Sequence, residues 1–251
     1  MEKIKIYSEP CYDLDELSNY NLHAHTIYSA CAKREMTAAA IIGESERRGV
    51  KLLAFTDHFC DDKRPLLSDN ETLWREVEAT GTKMNVLYGA ELSAFGVGKY
   101  TDTDEENAGL DYRLYACNHY HLDCWEHPDD RSPRGYAIHS LEVAAFIIRS
   151  GRADALAHPM LARFIDCEDK NQVTDSISDN ELGDILALAR DFEVAWEISR
   201  NAVLAFPRFS KRFWDIGREV GVTFHFACDS HSLESLDPKR NLDELKKILY
   251  T

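Results

Sequence analysis

Short apolar segments alternate with amphipathic, capped helices along most of this 251-residue chain. The apolar segments carry too few polar positions to leave one strand face in water, which is the pattern of a parallel sheet covered by helices. The predicted strands are 20–25, 50–56, 85–88, 112–118, 153–157, 192–198 and 222–227. About seven β–α units follow, and they fit either an open doubly wound sheet or a closed barrel.

Side chains that can bind a metal ion recur at the carboxyl ends of these strands. In chain order they are His23 and His25, His58, Glu91, His119, His158, Glu197, and Asp229 with His231. In a β/α barrel all strand ends meet at one mouth, whereas an open sheet spreads them along an edge. Their common position therefore favours a single-domain, distorted TIM-like (β/α)7 barrel of the α/β class.

Each of these residues alone has an ordinary structural explanation. A His-x-His pair occurs by chance on solvated strands, and a lone histidine is more often structural than a ligand. Together the structural explanations would require independent coincidences at one topological position, so the sequence predicts a metal centre. Imidazole with carboxylate suits Zn, Fe or Mn better than calcium or magnesium. At about four ligands per ion, with Glu91 shared, two or three divalent transition-metal ions are expected.

Charge and cysteine content narrow the class of protein. The chain has 44 acidic and 29 basic residues and a formal net charge of −15, which argues against binding of long nucleic acid. Its seven cysteines form no Cys-x-x-Cys pair, the first six residues lack the apolar core of a signal peptide, and no apolar run approaches the length of a membrane span. We expect a cytoplasmic protein with one domain over 1–251 and irregular loop insertions near 96–111 and 125–135. The oligomeric state is not indicated.

Six short motifs together resemble those of the polymerase-and-histidinol-phosphatase (PHP) phosphoesterase superfamily, in the family's order and over nearly the whole chain. They are His23-Ala24-His25-Thr26, Thr56-Asp57-His58, Gly89-Ala90-Glu91, Asn118-His119, Ala157-His158-Pro159 and Cys228-Asp229-Ser230-His231. The resemblance implies a seven-stranded distorted β/α barrel with a trinuclear metal site.

The resemblance also implies a ligand set. One ion would take His23, His25, Glu91 and Asp229, a second Glu91, His119 and His158, and a third His58, His231 and a residue soon after the first motif. The family commonly has Asp or His at that last position, where this chain has Ala30 and Cys31. Cys31 as a thiolate ligand would favour zinc or iron. The alternative is a weak or empty third position, with Cys31 a small buried cysteine.

Within the family, the segment from Ala157 to Phe164 is similar to that of histidinol-phosphate phosphatases, although Ser199 stands where they have Asn. The implied activity is hydrolysis of a small, histidinol-phosphate-like monoester by attack of metal-activated hydroxide on phosphorus. Arg163 and Arg200 are candidate phosphate ligands, because guanidinium matches phosphate in a bidentate way. Their alternative is an ordinary surface position.

The expected catalytic residues are Glu91, Asp229, His231 and Asp57. Glu91 and Asp229 would hold the metal ions, and the proton for the leaving group would come from Asp57, His231 or His121, among which the sequence does not choose. For Asp57 a role in orienting a metal ligand is the alternative.

Two other functions remain open. One is a phosphodiesterase or nuclease acting on nucleotides or nucleic-acid ends, since the acidic charge does not exclude a mononucleotide. The other is a metal-binding domain without turnover, against which the complete ligand set weighs.

Overall fold

A computed structural model describes residues 10–60, 64–161, 165 and 167–251. In this part of the chain there are nine strands: β1 Tyr20–Ala24, β2 Leu52–Phe55, β3 His58–Phe59, β4 Asn85–Gly96, β5 Lys99–Tyr100, β6 Tyr112–Ala116, β7 Ala155–Ala157, β8 Ala195–Ser199 and β9 Phe224–Ala227.

Ten α-helices lie in the same described ranges: α1 Leu14–Leu17, α2 Ala38–Arg47, α3 Leu66–Thr80, α4 Asp104–Gly109, α5 Pro133–Ser150, α6 Asn171–Asp175, α7 Asp179–Asp191, α8 Arg200–Ala205, α9 Pro207–Val220 and α10 Leu242–Tyr250. A 3₁₀ helix spans Leu233–Leu236. None of these helices is long and apolar enough to cross a lipid bilayer.

Seven of the strands form a nearly closed parallel barrel surrounded by helices. Their order is β1–β2–β4–β6–β7–β8–β9, while β3 and β5 pair with β4 alone. The first and last strands meet just beyond their ends, where the Ser230 amide donates to the His23 carbonyl at 3.1 Å and the His25 amide donates to the Ser230 carbonyl at 3.0 Å. The predicted fold class, a TIM-like barrel of seven strands, is confirmed.

The outer core lies between the sheet and the helices. The indole of Trp214 on α9 stacks on Phe224 of β9, with ring centroids 5.1 Å apart. Both side chains are buried, and burial of one such ring stabilises the fold by about 1.5–3 kcal/mol. Apolar contacts of this kind hold each helix against its strand, and so fix where the strand ends point.

The barrel interior is crossed by a bond between strands that are not neighbours. The hydroxyl of Tyr112 on β6 lies 2.9 Å from Nδ1 of His225 on β9, and both side chains are buried. Two further strands separate β6 from β9 in the sheet. The contact therefore spans the interior below the strand ends, which shows that this space is filled by side chains.

The segment 96–111, predicted as an irregular insertion, is largely regular. β4 continues to Gly96 and pairs with antiparallel β5, and α4 follows with a capping box between Thr103 and Glu106. The prediction was wrong here because the acidic run was interpreted as a solvated loop. Carboxylates in the first turn of a helix are instead stabilised by its dipole.

The second predicted insertion, 125–135, overlaps the start of α5. The Ser132 hydroxyl caps this helix, accepting from the Gly135 amide at 3.1 Å, and Pro133 occupies its first turn. Proline is favoured there because its missing N–H has no partner within a helix. The irregular part therefore ends at Ser132.

Candidate metal centre

All eight predicted histidine and carboxylate ligands lie around the carboxyl-end mouth of the barrel. They are His23 in β1 and His25 just after it, His58 in β3, Glu91 in β4, His119 after β6, His158 after β7, and Asp229 with His231 after β9. Three sets of them have ligand atoms within 4.8 Å of one another: His23 with His25 and Glu91, His58 with Glu91 and His119, and His25 with His58 and His231. Each set could hold a metal ion.

Glu91 lies at the centre of this cluster, with its side chain 1% exposed. Its Oε1 is 3.1 Å from Nε2 of His158 and 3.4 Å from Nε2 of His119. Its Oε2 is 2.7 Å from Nδ1 of His58 and 3.4 Å from Nε2 of His23. One carboxylate thus presents a different oxygen to each of two groups of imidazoles, which is the arrangement of a bridging ligand.

Local backbone structure explains how Glu91 reaches the centre. β4 pairs with β6 closely at Gly89, where an added Cβ would collide with the carbonyl oxygen of Tyr112. Glycine therefore allows the two strands to approach just before the ligand. The register then places Glu91 opposite His58 of β3.

The first histidine pair faces Asp229. The Nε2 atoms of His23 and His25 are 3.0 Å apart, and Oδ1 of Asp229 lies 3.6 Å from the first and 3.3 Å from the second. Asp229 has a φ of 50°, in the left-handed region that costs a non-glycine residue energy. Such strain persists where the surrounding structure holds a side chain in a required direction.

A divalent cation fits this donor set, as the tautomers of the histidine pair indicate. Nδ1 of His23 lies 2.8 Å from a Glu197 oxygen, which can only accept when ionised. Nδ1 of His25 lies 3.2 Å from the Ser29 hydroxyl, which itself donates to Asp57 at 2.6 Å. Both Nδ1 atoms therefore carry hydrogens, which leaves the two Nε2 atoms, 3.0 Å apart, as the atoms through which this pair would hold a cation.

A second observation at Glu91 supports a cation. In the described part of the chain, Oε2 of Glu91 and Nδ1 of His58 have no hydrogen-bond partner, although they are 2.7 Å apart. The two atoms are close but not aligned with each other. A buried carboxylate oxygen without a donor is costly, and a metal ion would satisfy it.

Three of the proposed ligands have pKa values that favour the protonation states that metal ligands need. Burial would raise the pKa of Glu91, but His58 and His23 outweigh it and hold that pKa well below its ordinary value. Burial lowers the pKa of His25 to about 4, with help from His58. Burial also lowers the pKa of His119 to about 3, against the opposing charge of Glu91. The carboxylate is therefore ionised and these two imidazoles are neutral at neutral pH.

Cys31 lies beside the third set of ligands. His231 and His58 outweigh the effect of burial and lower the pKa of Cys31 to about 6. The ring centroids of His58 and His231 are 4.3 and 4.2 Å from that of His25. Cys31 is exposed and lines the same cavity as His58 and His231.

The surroundings of Asp57 do not match its predicted catalytic role. It is fully buried, and its two oxygens accept from the Thr26 amide at 2.7 Å, the Thr26 hydroxyl at 2.6 Å and the Ser29 hydroxyl at 2.6 Å. Because Ser29 also contacts His25, Asp57 is placed to orient that histidine rather than to donate a proton to a substrate. Asp57 is also not among the residues that line the cavity described next.

A cavity of about 1100 Å³ opens at the cluster. Its lining includes five residues of the cluster, His58, His119, His158, Asp229 and His231, together with Cys31. The lining also includes Leu122, Leu161, Phe206, Asn201 and Lys170. Lys170, whose ammonium donates to the Ile165 carbonyl, was missed by the sequence analysis because an isolated lysine in a loop gives no signal.

Of the two arginines predicted to bind phosphate, the structure describes Arg200 but not Arg163. Arg200 is 4% exposed, its Nη1 donates to the Asp237 carbonyl at 2.8 Å, and it does not line the described cavity. The prediction of a phosphate clamp does not fit Arg200, because the guanidinium binds the backbone behind the cavity wall. Arg163 lies outside the described residues.

The similarity of this chain to known proteins lies in its structure. No family model and no curated protein sequence matches the chain. A Listeria monocytogenes protein provisionally described as the histidinol phosphatase hisK has a similar structure, with a TM-score of 0.60 and 11% identity over 86% of this chain and 96% of that one. At this identity the similarity shows the barrel fold alone.

Two glycosidases score lower. An endoglucanase from Clostridium longisporum has a TM-score of 0.35 and 10% identity over 94% of this chain and 96% of its own. A lichenase from Caldicellulosiruptor has the same score and identity over 100% and 98% of the two chains. Scores at this level carry no argument about function.

Proposed function

We propose that the chain is a metal-dependent phosphoric monoester hydrolase of the PHP type, acting on a small, histidinol-phosphate-like substrate. The observation that carries the proposal is Glu91, whose two oxygens face separate groups of imidazoles at 2.7 to 3.4 Å. Paired divalent ions that share a carboxylate are typical of phosphoester hydrolysis. The crystal structure described as hisK adds the same fold.

The proposed ligand sets are those that the resemblance to the PHP superfamily implies. A first ion would be held by His23, His25, Glu91 and Asp229, and a second by Glu91, His119 and His158. A third would be held by His58, His231 and Cys31, which line the same cavity and whose imidazoles lower the pKa of the thiol. A thiolate at that position favours zinc or iron over manganese.

Bound divalent ions would lower the pKa of water to about 7 and offset negative charge on the phosphoryl group. The chain's own residues would position the ions and supply a proton. Glu91 holds its carboxylate between the imidazoles, and Asp57 fixes Ser29 and thereby His25. If His231 is a metal ligand, His121, which lines the cavity, is the proton donor for the leaving group.

The cavity supports a small organic substrate. Its volume, about 1100 Å³, is close to the range of small-molecule sites. Leu122, Leu161 and Phe206 offer apolar contact to the organic part, and Lys170 is the described lysine on this wall. The same volume admits a mononucleotide, so the test must separate monoesters from diesters. Cytoplasmic location remains the expectation.

The test is phosphate release by zinc-, iron- and manganese-loaded protein from two matched substrates, p-nitrophenyl phosphate and bis(p-nitrophenyl) phosphate, with histidinol phosphate as a third. We expect turnover of the monoesters and little of the diester. Turnover of the diester alone would replace the proposal with a phosphodiesterase. No turnover by fully metal-loaded protein on any of these substrates would favour a metal-binding domain without catalysis.

A further inference from the structure

Glu197 contacts two proposed metal ligands at once, one with each carboxylate oxygen. Its Oε2 accepts the Nδ1 hydrogen of His23 at 2.8 Å, and its Oε1 accepts the backbone N–H of His158 at 3.2 Å. The side chain is 1% exposed and lies on β8, between the strands that carry other ligands. It therefore bridges β1 and the end of β7 beneath the cluster.

The contact with His23 fixes the direction of its lone pair. Because an ionised carboxylate only accepts, Nδ1 must carry a hydrogen, so Nε2 is the nitrogen left to bind metal. That Nε2 lies 3.4 Å from Oε2 of Glu91 and 3.6 Å from Oδ1 of Asp229. Glu197 thus keeps His23 in the tautomer that can bind the first ion.

The contact with His158 fixes a strained backbone. His158 has a φ of 29°, which a non-glycine residue rarely adopts, and its amide has Glu197 as acceptor. This conformation directs Nε2 toward Oε1 of Glu91 at 3.1 Å. A bond to the amide at the strained residue stabilises the conformation that the second ion needs.

We propose that Glu197 is a positioning residue that couples the two metal positions sharing Glu91, so that its loss weakens both ions together. The inference rests on the proposed function only in assigning His23 and His158 to different ions. Glu197 itself does not reach the cavity, because its two oxygens are directed at these ligands and it does not line the described wall.

Glutamine cannot replace both contacts. Its single carbonyl oxygen can accept from His23 or from the His158 amide, and its NH₂ then faces a donor at the other. Facing His23, the NH₂ favours the tautomer with hydrogen on Nε2, which cannot bind metal. Aspartate keeps two acceptors on a shorter stem, so Glu197→Asp is the conservative variant.

Asp102 supplies a matched control. It is also a fully buried carboxylate, but its partners are Tyr115, Arg152 and Asn107, away from the cluster. Asp102→Asn therefore removes a buried charge and its contacts without touching a proposed ligand. It separates loss of stability from loss of metal binding.

The experiment measures zinc dissociation constants by chelator competition for wild type, Glu197→Gln, Glu197→Asp and Asp102→Asn, with circular dichroism to establish folding. Glu197→Gln should weaken two zinc ions, each by about 10- to 100-fold, as loss of outer contacts to metal ligands does. Glu197→Asp should recover part of this loss, and Asp102→Asn should bind zinc as wild type does.

Weakening of one zinc ion only, or of neither, in a folded Glu197→Gln would overturn the coupling. If Glu197→Gln does not fold, the aspartate variant decides: wild-type zinc affinity at both positions overturns the inference, and a matched loss at both supports it. If wild type itself binds no zinc, the proposed function fails first, which is a different result from equal binding by wild type and variants.

Discussion

Two buried carboxylates in this barrel, Asp102 and Glu91, have opposite surroundings. Asp102 is fully buried and accepts from the Tyr115 hydroxyl at 2.7 Å, from Arg152 at 2.7 Å and from Asn107 at 3.0 Å. Every oxygen has a donor, and the arginine balances the charge. The chain alone satisfies this group.

Glu91 is as deeply buried but is surrounded by imidazoles rather than by fixed donors and an arginine. Its Oε2 has no hydrogen bond within the described residues, and the neighbouring Nε2 atoms of His23 and His25 are only 3.0 Å apart. The described residues do not satisfy this oxygen. The difference teaches that Asp102 stabilises the fold, whereas Glu91 belongs to a cluster that could hold a metal ion.

The largest expected effect is the loss of phosphate release when Glu91 is replaced. Glu91→Gln removes the charge that both proposed ions share, so we expect phosphate release to fall by more than about a thousandfold, which is several kcal/mol of transition-state stabilisation. Steady-state hydrolysis of p-nitrophenyl phosphate by the metal-loaded variant measures this. A rate within tenfold of wild type would contradict the bridging role.

The next largest effect is the loss of stability when Asp102 is replaced. Asp102→Asn leaves Arg152 without its buried partner, so we expect the free energy of unfolding to fall by about 3 kcal/mol and Tm by about 10 °C. Thermal and urea unfolding measure the loss, and phosphate release should stay at the wild-type rate. A variant with normal stability, or one that had lost its metal, would show that the two regions are not separate.

A smaller effect tests whether Cys31 helps to hold the proposed third metal ion. Cys31→Ser removes the thiol whose pKa His231 and His58 lower to about 6. We expect zinc at one position to be weakened by about tenfold or more, which is about 1.4 kcal/mol, while manganese changes less. Elemental analysis at graded chelator concentrations tests this. Unchanged zinc content would identify Cys31 as a bystander and leave the third position without its thiolate.

The smallest expected effect is the pH dependence of zinc affinity. Burial would lower the pKa of His23 and of His158, but Glu197 and Glu91 beside them outweigh it and raise both pKa values above the ordinary one. The metal-free cluster therefore holds protons at neutral pH that a metal ion must displace. Zinc affinity should rise with pH, by about tenfold per unit for each proton released. Calorimetry in buffers of different ionisation enthalpy counts the protons, and a count of zero would contradict the account.

The positions of the candidate ligands could be predicted from the sequence better than their surroundings. His23, His58, Glu91 and His158 could be placed because strand ends in a barrel converge, and that rule needs only the alternation of strands and helices. The pairing of His58 with Glu91 across β3 and β4 then follows from register.

The remaining features depend on side-chain direction, which a pattern does not contain. Arg200 binds the Asp237 carbonyl and Asp57 binds Thr26 and Ser29, and neither direction follows from position along a strand. The position of Glu197 near the end of its strand could be predicted from the sequence. Its contacts with His23 and His158 could not, because they depend on the direction of the side chain. The helix α4 was missed because acidic residues are common both in solvated loops and in first turns of helices.

The most direct test of the central claim is elemental analysis of wild type and Glu91→Gln, each stripped with chelator and reconstituted with zinc, with Asp102→Asn as the stability control. The account predicts two to three zinc ions per chain in wild type and in Asp102→Asn, and loss of at least two in Glu91→Gln. Wild type that binds no zinc after reconstitution, or Glu91→Gln that keeps the full complement, would contradict it.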